Sequence, residues 1–344
     1  MTEQRDALSV QLIVAPTGVT AEQAVALVRE HYGLAVRLSP LTGERDENFK
    51  LTTATGGMYV LKVAAARDSP AATALQTATL LHLATVDPDI PCPRVQKTRD
   101  GGVSVRVRDA RGAARSAHVL SFLPGRLLCE TVASNAQREA VGRLAGRLAR
   151  ALSTFSHPGA QRPLIWDLRN AGVLPGMLED LPTFPCQSLA RTFLAAALPR
   201  AVASLEGARQ QVVHNDLNAR NILLDPTDES RLTGVIDFGD MVYTALIADV
   251  AVGCAELMPA QCFEITHAMD CCEAFLRGYQ TYMPLLGQEL EVLPVLVAVR
   301  LFMNVVLNEW YVRNNPRSRH AVAQEPQVMC AQVELALKLL KQGV

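Results

Sequence analysis

The run His214-Asn215-Asp216-Leu217-Asn218-Ala219-Arg220-Asn221 sets a carboxylate and a primary amide five residues apart on one short segment. A second carboxylate, Asp237, follows 16 residues after Asn221, at the end of an apolar run and ahead of Phe238-Gly239-Asp240. Phosphoryl transfer asks for few protein groups. One carboxylate orients and deprotonates a hydroxyl, oxygen donors hold a divalent metal that bridges nucleotide phosphates, and a cation neutralises those phosphates from the other side. Asp216 fits the base. Asn221 and Asp237 fit the metal, because they lie on successive loops that can meet and carry the hard oxygen donors that Mg²⁺ takes. Lys62, at the end of the strand-like run from Met58, is the candidate cation. Each fragment alone is weak, since His-x-Asp and Asp-Phe-Gly arise often by chance and a lysine at a strand end is usually solvated. Their order and their settings carry the reading.

Periodicity and punctuation give the elements that must hold these groups. A helix is predicted over 20–32, with Thr20 as its cap and Gly33 as its stop. Strand-like runs follow at 34–40, 49–52 and 58–63, the last two joined through Gly56-Gly57 as a hairpin. Residues 70–85 read as a helix with Pro70 in its first turn. After the loop at Pro91-Cys92-Pro93, Val95 to Val107 and Ala117 to Phe122 look like further strands. Past Leu123-Pro124-Gly125 the chain turns helical, over 136–155, 190–208, 262–283 and 290–313. Between these helices lies a short strand-like core at 211–214, 222–225 and 232–238. The expected architecture is α+β and bilobal: a small antiparallel-sheet N-lobe over 1–122 that binds nucleotide, and a larger, mostly helical C-lobe over 123–344 with the catalytic loop and acceptor site.

Bulk composition agrees. The 344 residues suffice for two such lobes, and 49% hydrophobic against 19% charged residues describes a well-buried chain. Lys and Arg number 33 against 34 Asp and Glu, so no basic footprint for nucleic acid or an anionic membrane is present. No uninterrupted apolar run of about 18 residues occurs, so no membrane-crossing helix is expected. The polar first residues lack the pattern of a secretion signal. A cytoplasmic protein is the expectation, with a nucleotide and a small substrate as partners and no nucleic acid, membrane or protein partner. The eight cysteines show no CxxC spacing and read as small, free, mostly buried residues.

The HxDxxxxN loop followed by Ile236-Asp237-Phe238-Gly239-Asp240 resembles the aminoglycoside phosphotransferase-like kinases, small-molecule relatives of the protein kinases. Within that family, Asn218, the run Ile236 to Met241, and residues 41–49 and 164–169 are similar to the hydroxylysine kinases. The resemblance covers most of the chain, from Lys62 to the helices after Asp249. It implies a protein-kinase-like fold, Mg²⁺, ATP or GTP as phosphoryl donor, and 5-hydroxylysine or a related amino alcohol or amino acid as acceptor. It also implies Asp216 as base, Asn221 and Asp237 as metal ligands, and Lys62 at the α- and β-phosphates. Ser121, Phe122 and Leu123 would meet the purine edge, and Thr42 to Asn48 would form a flap over the phosphates. Other acceptors stay open: homoserine, choline, ethanolamine or an aminoglycoside. A nucleotide-binding pseudokinase is the alternative without turnover.

Two departures from the family pattern stand out. Asn215 takes a position where relatives mostly carry Gly, and Asn is the side chain that best tolerates such backbone angles. No Glu lies between Lys62 and Pro91 to pair with the lysine, which leaves Gln76 as the best-placed polar residue. On the acceptor side the candidates are Asp240 as an acid, Trp166 as a wall, and Arg300 as partner for an amino acid carboxylate. Arg300 begins a polar stripe with Asn304, Asn308, Glu309 and Trp310. His214 and Asp249 are expected to brace the catalytic loop.

Overall fold

A computed structural model describes residues 2–13, 18–41, 43, 45–318 and 321–342. The chain opens with α1 (Thr2–Ser9) and α2 (Ala21–Tyr32), then β1 (Val36–Leu41), β2 (Glu47–Thr53) and β3 (Met58–Val63). After α3 (Pro70–Val86) come β4 (Val105–Arg108) and β5 (Ala114–Ser121). The five strands form one antiparallel sheet in the order β1-β2-β3-β5-β4. Helix α2 starts where predicted, because Thr20 and Gln23 exchange side-chain-to-backbone hydrogen bonds, and it stops at Gly33 with φ +69°. Alternate residues of the sheet, among them Leu51, Leu61, Val63 and Val119, bury against Ala24, Leu27 and Val28 of α2 in a small core. Register sets Lys62 between Asn48 on one neighbouring strand and His118 on the other.

The strand expected over Val95 to Val107 is much shorter. Gly101 at φ +88° makes a turn in which Thr98 pairs with Gly102, so only β4 and an isolated Val95–Leu120 bridge join the sheet.

Beyond residue 122 lie β6 (Arg126–Leu127), α4 (Asn135–Leu152), α5 (Leu174–Glu179) and α6 (Gln187–Leu205). There follow β7 (Gln210–Val213), β8 (Ile222–Leu224), β9 (Leu232–Val235) and β10 (Val242–Ala245), then α7 (Leu246–Glu256), α8 (Ile265–Tyr279), α9 (Gly287–Asn314) and α10 (Pro326–Gln342). Strands β7 and β10 pair as a ribbon, while β6, β8 and β9 form a separate three-stranded sheet. The segment His214–Asn221 is therefore the link from the ribbon to the sheet, and Ile236–Met241 is the link back. Two loops anchored at both ends are thereby held side by side, and Ile236 N–H donates to Asn221 O at 2.9 Å.

Helices α4 and α8 cross at backbone contact. A Cβ on Gly142 would lie 2.0 Å from Phe275 O, and one on Gly278 would lie 1.9 Å from Glu139 O. Helix α9 is long and apolar enough by composition to cross a membrane, with 67% of its most apolar window buried inside the protein. It lies against α6, α7 and α10, where Leu296, Phe302 and Val306 are fully buried, and that packing accounts for its apolarity. Helix α10 is absent from the sequence reading, although Met329, Val333, Ala336 and Leu340 recur at helical spacing and bury. The large core also takes in Leu8 and Leu12, so residues 2–12 pack with the helical part although they precede the sheet.

Candidate active site

The loop after β7 holds Asp216 by both oxygens. Asn218 Nδ2 donates to Oδ1 at 2.7 Å and Asn221 Nδ2 to Oδ2 at 2.7 Å. Asn215 has φ +63°, as its position demanded, and its N–H donates to Asp249 Oδ1 at 2.7 Å. Asp249 thus braces the loop from α7. Burial raises its pKa to about 6, against the opposing pull of that hydrogen bond and of Arg300. His214 is structural: its Nδ1 accepts from Asp216 N–H at 3.3 Å and its ring stands edge-on to Phe238 at 4.8 Å. Burial lowers its pKa to about 4, which keeps the ring neutral. Burial also raises the Asp216 pKa well above its ordinary value, helped by repulsion from Asp240, Asp237 and Glu256 and opposed by Arg300.

Asp237 follows β9 at φ +60°, a left-handed backbone conformation that a non-glycine residue rarely adopts. Its Oδ1 accepts from Gly239 N–H at 3.2 Å and from Lys62 Nζ at 2.9 Å. Lys62 Nζ also lies 3.6 Å from Asp46 Oδ2, and Asp46 Oδ1 is fixed by the Ala65 N–H at 3.2 Å. Burial by itself would lower the lysine pKa; the two carboxylates outweigh it and hold the ammonium charged. Gln76 does not take this part. It sits on α3 beside Gly239, where a glycine Cβ would be 3.9 Å from its Nε2, and it makes no hydrogen bond to Lys62 among the described residues. Asp46, which the sequence reading placed only in the flap over the phosphates, takes the place of the missing Glu. The available signal was its position two residues before Asn48, the cross-strand neighbour of Lys62.

Asn221 and Asp237 lie on the two loops that the Ile236 N–H to Asn221 O bond joins, and each has oxygen to spare. Asn221 spends its amide nitrogen on Asp216, while Asp237 keeps Oδ2 clear of these bonds and its side chain is 46% exposed. Two hard oxygen donors suit Mg²⁺, which takes its remaining positions from water and phosphate. Among the described residues no trio of His, Cys, Asp or Glu forms an all-protein cage. At the sheet end, Asn48 Oδ1 is buried without a hydrogen-bond partner. Thr42 and Glu44 of the expected flap lie outside the described residues. Ser121 is committed to its neighbours, since its N–H donates to Arg94 O and its hydroxyl accepts from Arg94 N–H. Phe122 N–H donates to Met58 O, whereas Leu123 N–H has no partner among the described residues. His118, missed in the sequence, is buried beside Lys62 with both ring nitrogens unpartnered, and burial then Lys62 lower its pKa to about 3.

On the acceptor side, buried Asp240 is ion-paired with Arg45 from the β1–β2 connection, and Arg162 donates to Gly239 O and Met241 O. Trp166 lies on a loop anchored by Asp167, which is fully buried and accepts from Thr244 Oγ1 at 2.9 Å and Arg169 Nε at 2.8 Å. Arg300 is placed differently from the expectation. Its side chain is 3% exposed, its Nη1 donates to Trp166 O at 2.8 Å, and its guanidinium stacks 5.1 Å from the Trp166 ring centroid. Its Nε and Nη2 both go to Glu256 Oε1, at 2.9 and 2.8 Å. With its donors committed inward, Arg300 is not open to a substrate carboxylate. The polar stripe divides along α9, since Asn308 turns to Val322 O at 3.4 Å, well beyond Arg300.

The chain matches the phosphotransferase enzyme family over residues 37–287. It is 27% identical over 323 residues to hydroxylysine kinase of Mus musculus, covering 87% of this chain and 84% of that one. It is 29% identical over 327 residues to homoserine kinase of Granulibacter bethesdensis, covering 90% and 92%. Among solved structures, the microcompartment-associated aminopropanol kinase superposes with TM-score 0.68 over 94% of this chain and 98% of that one, at 18% identity, a likeness of fold.

Proposed function

Since the chain belongs to the phosphotransferase enzyme family and is a small-molecule kinase acting on an alcohol group, we propose that it transfers the γ-phosphoryl group of ATP or GTP to the hydroxyl of 5-hydroxylysine. The observation that carries this reading is the clasp on Asp216, whose two oxygens are held by Asn218 and Asn221 at 2.7 Å each, beside the Lys62–Asp237 pair. The acceptor hydroxyl donates to Asp216. As its oxygen bonds to the γ-phosphorus, the bridging bond to the β-phosphate breaks and the hydroxyl proton passes to Asp216. Lys62 holds the α- and β-phosphates, Asn48 and Gln76 line their approach, and Leu123 with Ser121 meets the purine. Mg²⁺ on Asn221 and Asp237 would offset charge on the phosphate oxygens. The two units divide at residue 122, with residues 2–12 and the buried face of α3 (Leu75, Leu80, Leu83) packed into the core of the second.

Homoserine is the second reading, favoured by the likeness to a homoserine kinase over 92% of that chain. Both acceptors are α-amino acids with a side-chain hydroxyl. The test is nucleoside diphosphate release with Mg²⁺, ATP and GTP in parallel, against 5-hydroxylysine, homoserine, choline, ethanolamine and kanamycin. Turnover confined to hydroxylysine is the expected result. Turnover of another alcohol alone would overturn the acceptor, and Asp216→Asn that keeps wild-type turnover would overturn the mechanism.

A further inference from the structure

Glu256 is the last residue of α7 and sits seven residues after Asp249. At 3.6 residues and 5.4 Å per turn, that places the two carboxylates on the same side of the helix, about 10 Å apart along its axis. Asp249 marks which side this is, because its Oδ1 accepts from Asn215 N–H in the catalytic loop. The far end of α7 is fixed too, as Arg138 Nε donates to Leu257 O at 3.0 Å. The Glu256 side chain is 19% exposed and close enough to raise the Asp216 pKa by repulsion.

The way Glu256 is held matters more than its position. Both Arg300 donors converge on one oxygen, Oε1. Oε2 has no hydrogen-bond partner among the described residues. Arg300 is itself immobilised by Trp166, through the carbonyl at 2.8 Å and the ring face at 5.1 Å. A buried arginine thus orients a carboxylate and leaves its second oxygen without a partner among the described residues. A helix C-terminus is an unfavourable seat for a carboxylate and a favourable one for a cation, because the last carbonyls point outward there. Asp237, Asp240 and Glu256 each place negative charge near Asp216, and each is paired with one cation, Lys62, Arg45 and Arg300 in turn.

We infer that Glu256 is a specificity-determining residue that receives the ammonium group of the acceptor on Oε2, with Arg300 and Trp166 as its positioning residues. The inference rests on the proposed acceptor class and deepens it. Selection for an amine-bearing alcohol comes from a single oriented carboxylate, and the arginine behind it touches no substrate.

The test compares 5-hydroxylysine with its two mono-deaminated analogues, lacking the α- or the ε-amine, on wild type and Glu256→Gln. Gln retains an oxygen for Arg300 and the shape of the side chain, while the negative charge is lost and the second oxygen becomes an NH2 donor that cannot accept from an ammonium. We expect Glu256→Gln to raise KM for hydroxylysine about 10- to 100-fold with kcat and nucleotide KM little moved, the loss of one charge-assisted hydrogen bond. The same penalty falls on one analogue and vanishes with the other. Glu256→Asp, which keeps the charge but withdraws it by one methylene, gives a smaller rise and serves where Glu256→Gln melts early. An equal penalty on all three compounds, or none, would overturn the inference. If wild type turns over none of them, the acceptor assignment has failed, and calorimetric titration of the same compounds still decides. Amine-dependent binding lost in Glu256→Gln supports the inference; binding unchanged by the substitution, or absent from wild type, overturns it.

Discussion

Burial by itself would lower the Lys62 pKa, and two carboxylates outweigh it, Asp237 at 2.9 Å and Asp46 at 3.6 Å. Their duties differ. Asp237 is also the proposed metal ligand, so once it is engaged there Asp46 is the anion that remains with the lysine. Asp46→Asn should therefore lower kcat/KM about 10- to 100-fold, mostly through nucleotide KM, while Gln76→Ala costs far less; steady-state kinetics on both variants check this. Asp249 offers a second test. Its folded pKa of about 6 lies above the ordinary value of 3.8, so the folded state binds a proton that the unfolded state has released between those pH values. Stability from this residue is present below pH 3.8 and is lost as pH rises through 6. A shift of that size is worth about 3 kcal/mol at neutral pH. Wild type should gain melting temperature relative to Asp249→Asn as pH falls from 7.5 to 4, and a pH-independent difference would refute the assignment. Asp216, Asn221 and Asp237 could be picked out because their spacing is local, and Lys62 because it ends a strand-like run. Asp46 and Glu256 could not, because each owes its place to a partner across the chain: Lys62 through strand register, Arg300 through helix packing.

At the scale of elements, the contact of α4 with α8 is the tightest in the protein's interior geometry described above. Glycine in a helix reads from sequence only as a propensity cost, so nothing marked Gly142 or Gly278 as sites where two backbones meet. Gly278→Ala puts a methyl 1.9 Å from Glu139 O, and the helices must separate to admit it. A loss of about 1–3 kcal/mol is expected, read as a lower urea midpoint. Gly287→Ala at the start of α9 meets nothing within 4 Å and should be neutral or mildly stabilising. Capping signals were dependable: Thr20, Gly33 and Pro70 all stand where the pattern put them. The strand over Val95 to Val107 failed because its middle holds the turn residues Asp100-Gly101-Gly102, where Gly101 turns the chain back.

For the whole molecule, the fold class was readable from the change of period near residue 122, from two-residue alternation to helical spacing. Membership in the kinase-like fold followed from motif order. The distribution of the first residues was not readable, since a short polar helix carries no mark of what it will dock against. Leu8 and Leu12 enter the large core, Gln11 Nε2 donates to Pro163 O at 3.1 Å, and Gln11 Oε1 accepts from Ile165 N–H at 2.9 Å. Asn315 Nδ2 donates to Leu12 O at 2.8 Å. This segment therefore steadies the loop that carries Trp166, and its own anchor lies 303 positions further along. On a ribosome the chain emerges N-terminus first, at about 5–20 residues per second. The sheet and α2 can close as soon as they are out, but residues 2–12 must wait for Asn315. The proposed acceptor side is thus finished only once residue 315 is out, and a nascent chain stalled short of it could carry every proposed catalytic group and still lack a settled loop at Trp166.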